Sequence, residues 1–168
     1  MTDPIRLLLA DDQQMVRAGF RLVLDAQPDM SVVGEANDGA EALQLVDELA
    51  PDVVLMDIRM PVLDGLGATE KIMTSHPEAK ILVLTTFDLD EYVHSALRAG
   101  ASGFMLKDAG PTELLAAIRA VRDGDSVVAP SATRRLIERF IPRQGERAAT
   151  ITCLLYTSLS GLARQTVT

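Results

Sequence analysis

The sequence predicts an α/β fold: a parallel sheet covered by helices on both faces. Two observations carry that prediction. Four short apolar runs each stop abruptly on a polar group: Ile5 to Ala10 on Asp11 and Asp12, Val53 to Met56 on Asp57, Ile81 to Leu84 on Thr85, and Phe104 to Leu106 on Lys107. Strands buried on both faces of a parallel sheet read as continuous apolar runs rather than alternating ones. Helical patterns fill the gaps between the runs, and strand–helix alternation repeated five times gives a doubly wound sheet.

The elements follow in order. After the first run, Val16, Phe20, Val23 and Leu24 recur at helical spacing, with Arg17, Arg21 and Asp25 assigned to the opposite face. A second strand is expected over Ser31 to Glu35, after the break at Pro28-Asp29. Asp38 is placed to cap a second helix that turns Leu43, Val46 and Leu49 inward and ends before Pro51. Leu66, Thr69, Ile72 and Met73 mark a third helix, stopped by Pro77. Asp90 opens a fourth, with Val93, Ala96 and Leu97 buried and Gly100 as its stop. A fifth enters through Pro111, buries Leu114, Leu115, Ile118 and Val121, and closes at Gly124. At this size the natural arrangement is a flavodoxin-like five-stranded sheet in the order 2-1-3-4-5.

That order makes the ends of strands 1, 3 and 4 neighbours, and ligands of open α/β sheets bind beyond the carboxyl ends of the strands. Asp11, Asp12, Asp57, Thr85 and Lys107 would share one edge, a set suited to a divalent cation and a phosphoryl group. No Gly-x-Gly-x-x-Gly follows the first strand, which argues against a dinucleotide site. Singly, each residue has a plain alternative: Asp12 as the cap of the first helix, Asp57 as a solvated strand end, Lys107 as a surface charge, Thr85 as a β-branched strand residue. Their convergence on one edge favours the functional reading.

The pair Asp11-Asp12, then Asp57 before Met60-Pro61 and Asp64-Gly65, then Thr85 and Lys107, resembles the receiver domain of bacterial two-component response regulators. The likeness runs from about Ile5 to Gly124. It implies that Asp57 accepts a phosphoryl group from a sensor histidine kinase, in a signalling protein rather than an enzyme acting on other substrates. It implies Mg²⁺ as cofactor, held by Asp11, Asp12, Asp57 and the backbone carbonyl of Arg59. Lys107 and Thr85 would bind phosphoryl oxygens, and a coupled movement of Thr85 and Phe104 would switch a surface of helix 4, strand 5 and helix 5. Phe104 alone also reads as ordinary core packing. Tyr92, His94, Arg98, Lys107 and Asp108 are expected contacts on the switched surface, which commonly forms a homodimer on phosphorylation. Arg59 and Phe87 would flank the path of the hydrolytic water, with Phe87 slowing loss of the phosphoryl group. His76 and His94 read as solvated helix residues.

Ala99 to Asp108, with Asp108 after the lysine, is similar to the NarL/FixJ subfamily, whose members continue into a LuxR-type helix-turn-helix domain that binds DNA. Residues 1–124 are accordingly assigned to the receiver, and 125–150 to an exit helix over Ser131 to Phe140 and a linker. Residues 151–168 form an atypical Ser/Thr-rich tail, read as a truncation, frameshift or foreign junction and expected to be disordered or loosely packed. DNA would be reached only through the missing C-terminal domain. A stand-alone receiver acting through protein contacts is the alternative. An aspartyl-phosphate hydrolase is disfavoured, because Asp57-Ile58-Arg59 lacks the second acid of an Asp-x-Asp motif. A degenerate receiver is disfavoured because every expected site residue is present.

The remaining composition agrees. The single Cys153 cannot form an internal disulfide, as expected in the cytoplasm. No apolar run approaches the roughly 20 residues that span a bilayer, so no membrane is expected. A net charge of −8 disfavours nonspecific attraction to nucleic acid by this chain alone.

Overall fold

The computed structural model describes residues 3–86 and 90–128. Strands and helices alternate as β1 (Ile5–Ala10), α1 (Gln14–Asp25), β2 (Met30–Ala36), α2 (Gly39–Leu49), β3 (Val53–Asp57), α3 (Gly65–Ser75), β4 (Lys80–Thr85), α4 (Asp90–Arg98), β5 (Gly103–Leu106), α5 (Pro111–Arg122) and β6 (Val127–Val128). The five long strands are parallel and ordered 2-1-3-4-5, as the alternation requires. The two-residue β6 adds a sixth, parallel to β5, which the apolar runs do not announce. Two residues carry too little periodicity to be read.

Successive strand residues feed two cores, which explains the unbroken apolar runs. Leu8, Val54, Met56, Ile81, Val83 and Phe104 pack beneath Ala42 and Val46 of α2, Ala68 and Ile72 of α3, and Val93 and Ala96 of α4. Leu7, Leu9, Val53, Leu55, Leu82 and Met105 pack beneath Leu24 of α1 and Leu114, Ile118 and Val121 of α5. Both faces exclude water, so alternation would have left a polar residue buried without a partner.

Local signals set the element ends. Asp38 caps α2 by accepting from Glu41 N (2.8 Å), and Asp64 caps α3 by accepting from Gly67 N (2.7 Å). Gly100 and Gly124 close α4 and α5 at φ of +102° and +95°, where a Cβ would be strained. The N-cap of α1 is Gln13, with no side-chain cap hydrogen bond, so the plain alternative for Asp12 is not what the structure shows. Asp12 therefore does not cap the helix. Asp11 Oδ1 instead accepts from Gln13 N (2.9 Å) and turns the chain out of β1.

Candidate functional site

The carboxyl edge of the sheet assembles the site. β1 and β3 pair through Ala10 and Met56, so Asp11, Asp12 and Asp57 emerge side by side. Asp57 pairs with Leu84 on β4, and Thr85 stands one residue further along. Thr85 pairs with Leu106 on β5, and Lys107 N donates to the Thr85 carbonyl (2.7 Å). Four strand ends thus meet in one place.

The charges touch there. Carboxylate oxygens of Asp11, Asp12 and Asp57 lie within 4.8 Å of one another, with Asp12 exposed and the other two buried. Lys107 Nζ reaches between them, 2.5 Å from Asp11 Oδ2 and 3.2 Å from Asp57 Oδ2. Its side chain is only 10% exposed. Lys107 therefore belongs to the site and not to the outer surface of helix 4, strand 5 and helix 5, where it was also expected. A chain that ends in the acidic cluster cannot also reach a docked partner.

Burial pushes the Asp57 carboxyl up to about 6; the Lys107 ammonium opposes this, and Asp11 and then Asp12 reinforce it. The donor set is chemically coherent: three hard carboxylate oxygens of the kind that Mg²⁺ accepts, beside an ammonium that neutralises part of their charge. A groove of about 290 Å³, lined by Asp52, His76, Lys80 and Arg122 among others, lies at the opposite edge of the sheet.

Two tight backbone approaches hold Asp57. Gly65 N donates to Ile58 O (2.8 Å), and a Cβ on Gly65 would stand 1.9 Å from the Asp57 carbonyl oxygen. α3 can start against Asp57 only with glycine there. Between them, Leu63 N donates to Pro61 O (2.8 Å) around Val62, whose φ is +69°. This γ-turn strains a β-branched residue that is 84% exposed. Arg59 is exposed at the start of this loop, its guanidinium 6.0 Å from the Tyr92 ring centroid on α4. Phe87 lies outside the described residues, as do Ser131 to Phe140 and the tail.

Phe104 is fully buried among the residues beneath α4, and Thr85 is 3% exposed. Two other residues differ from expectation. His76 is the C-cap of α3 and not a solvated helix residue: its ring pairs with Asp47 of α2 and, at 3.5 Å, with Glu78. The hydrogen bond to Asp47 raises its pKa above the ordinary value. Arg17 is buried instead of facing solvent, donating to the Asp11 carbonyl (2.5 Å) and to Glu35 (3.1 Å). The sequence held the signal: Arg17 precedes Leu24 by seven residues, two helical turns, and so shares its direction.

Residues 7–119 match the family described as the response regulator receiver domain. The chain is 47% identical over 147 residues to the uncharacterized transcriptional regulatory protein YxjL of Bacillus subtilis, covering 87% of this chain and 67% of that protein. It is similar to a crystal structure of a LuxR-family two-component response regulator from Aurantimonas, with TM-score 0.79 and 34% identity over 83% of this chain and 99% of that one. A structure of two RcsB dimers bound to two parallel DNAs aligns with TM-score 0.73 and 28% identity, over 80% of this chain and 68% of that one. Among the described residues no helix is long and apolar enough to cross a membrane. Sheet order, strand-end chemistry and these likenesses agree: the chain belongs to the response regulator receiver family, in its NarL/LuxR branch.

Proposed function

We propose that Asp57 is a phosphoacceptor, charged by a sensor histidine kinase, and that its phosphorylation switches a transcriptional output in the cytoplasm. The observation that carries this reading is the convergence of Asp11, Asp12, Asp57 and Lys107 on one sheet edge, with the ammonium bridging two of the carboxylates. As an Asp57 carboxylate oxygen bonds to phosphorus to form an acyl phosphate, the P–N bond of the donor phosphohistidine breaks. Its electron pair returns to that nitrogen, and the imidazole, carrying its proton on the other ring nitrogen, departs neutral. Phosphoryl transfer asks mainly for positioning and charge neutralisation, which this small set of groups supplies.

The residues divide the work. Asp57 provides the attacking oxygen, and its pKa of about 6 leaves roughly nine tenths of it ionised at pH 7. Lys107 pairs with an incoming phosphoryl oxygen as a point charge, and the Thr85 hydroxyl donates a hydrogen bond to another. Asp11, Asp12, Asp57 and the Arg59 carbonyl would hold Mg²⁺, which when bound supplies the charge that lets a phosphoryl group approach three carboxylates. Thr85 and Phe104 would relay the change to α4, β5 and α5, biasing a pre-existing equilibrium toward a homodimer. DNA would be reached through a further C-terminal domain, as the transcriptional names of its relatives suggest.

Borohydride reduction tests the assignment directly. After treatment with acetyl phosphate and Mg²⁺, reductive cleavage of the acyl phosphate should convert Asp57 alone to homoserine, read by peptide mass mapping. Homoserine at position 11 or 12 would contradict it.

A further inference from the structure

Arg17 has a place in the site that its sequence neighbours do not suggest. It is 8% exposed, and a buried guanidinium costs several kcal/mol to desolvate unless it is well paired. Among the described residues its carboxylate partner is Glu35 on β2, 3.1 Å from Nε. Arg21 draws on the same carboxylate at 2.6 Å, so Glu35 is divided between two cations. The shorter bond of Arg17 goes elsewhere, from Nη1 to the main-chain carbonyl of Asp11 at 2.5 Å.

That carbonyl is where β1 leaves the sheet. Asp11 N is held by the Ala36 carbonyl (3.0 Å), and its carboxylate by Gln13 N and Lys107. Arg17 holds the remaining polar atom, so every backbone and side-chain group of Asp11 has a fixed partner. The orientation of the Asp11–Asp12 peptide, and with it the direction of the Asp12 carboxylate, is set from below. Arg17 and Asp57 also line the same small cavity of about 10 Å³, with Phe20, Leu55 and Leu84 as its apolar walls.

We infer that Arg17 is a positioning residue for divalent-cation binding, acting through the Asp11 main chain. The inference rests on the Mg²⁺ reading given above. Groups that orient metal ligands without touching the metal typically contribute tenfold to a hundredfold in affinity, about the scale to be expected here.

Calorimetric titration of the full chain with MgCl₂, with the thermal midpoint of each variant recorded alongside, provides the test. Arg17→Met should weaken Mg²⁺ binding about tenfold or more, whereas Glu35→Gln should change it by less than about threefold. Both variants lose the same ion pair and should both lower the midpoint, so stability alone predicts equal effects. Wild-type affinity in Arg17→Met, or equal losses in the two variants, overturns the inference. Should Arg17→Met not fold, Arg17→Lys carries the test, since an ammonium lacks the rigid fork by which Nε and Nη1 reach Glu35 and the Asp11 carbonyl separately. A loss of about threefold or more in folded Arg17→Lys supports the inference, and unchanged affinity overturns it. Wild-type protein that takes up no Mg²⁺ removes the metal reading itself, and this inference with it.

Discussion

Asp57 is 7% exposed, beside two other carboxylates, and its carboxyl stays protonated to about pH 6 against 3.8 for an ordinary aspartate. Between those two values the folded protein holds a proton that the unfolded chain has released. The contribution of Asp57 to stability therefore falls as pH rises from about 4 to about 6, by on the order of 2 to 3 kcal/mol, and does not change further above that. Asp57→Asn cannot ionise, so it should raise the thermal midpoint by several degrees at pH 7.5 in EDTA and leave it unchanged below pH 4. An equal effect at both pH values would show that packing, not charge, separates the two proteins. Lys107 supplies the cation while no metal is bound, and it shares Asp11 and Asp57 with any divalent ion. Lys107→Met should tighten Mg²⁺ binding about tenfold, read by the same titration, while slowing phosphorylation. Weaker binding would mean that Lys107 orders the carboxylates more than it competes for them. At this scale the acidic residues were legible because each ends an apolar run. Arg17 was misread because its charge was given more weight than its spacing from Leu24.

The loop between β3 and α3 combines three constraints in a short stretch: a buried carboxylate at Asp57, a strained turn at Val62, and a helix start without room for a side chain at Gly65. Gly65→Ala should cost on the order of 3 kcal/mol, measured by urea denaturation, because the Asp57 carbonyl or α3 must move to admit the methyl group. Its rate of phosphorylation should fall with it, since the carbonyl that shifts belongs to the acceptor. Full stability in this variant would show that the helix start yields freely. Strands and helices were legible here because burial on both faces leaves apolar runs, and caps leave Asp38 and Asp64. The γ-turn was not, because valine at positive φ follows no local preference and is imposed by the surrounding bonds. β6 was too short to carry a pattern. Asp12 stands in the acidic cluster and not at the cap of α1, the reading that convergence on one edge had favoured.

Over the whole molecule, a doubly wound sheet brings residues 11, 57 and 107 of the chain to one point, and the sheet order alone accounts for that meeting. The opposite edge carries structural pairs: Arg119 with Asp29, which lowers the Asp29 pKa, and His76 with Asp47. Chemistry and scaffolding are thus separated along the strand direction, and one end can change state while the other keeps the sheet assembled. The topology was legible from alternation, because each apolar run and each helical pattern announces one layer of the sheet and its cover. Intact mass spectrometry after incubation with acetyl phosphate, with Mg²⁺ or with EDTA, tests the central claim most directly, beside Asp57→Ala. One phosphoryl adduct that requires both Mg²⁺ and Asp57 is the expected result. An adduct that persists in Asp57→Ala or in EDTA, or none on folded wild-type protein, would contradict it.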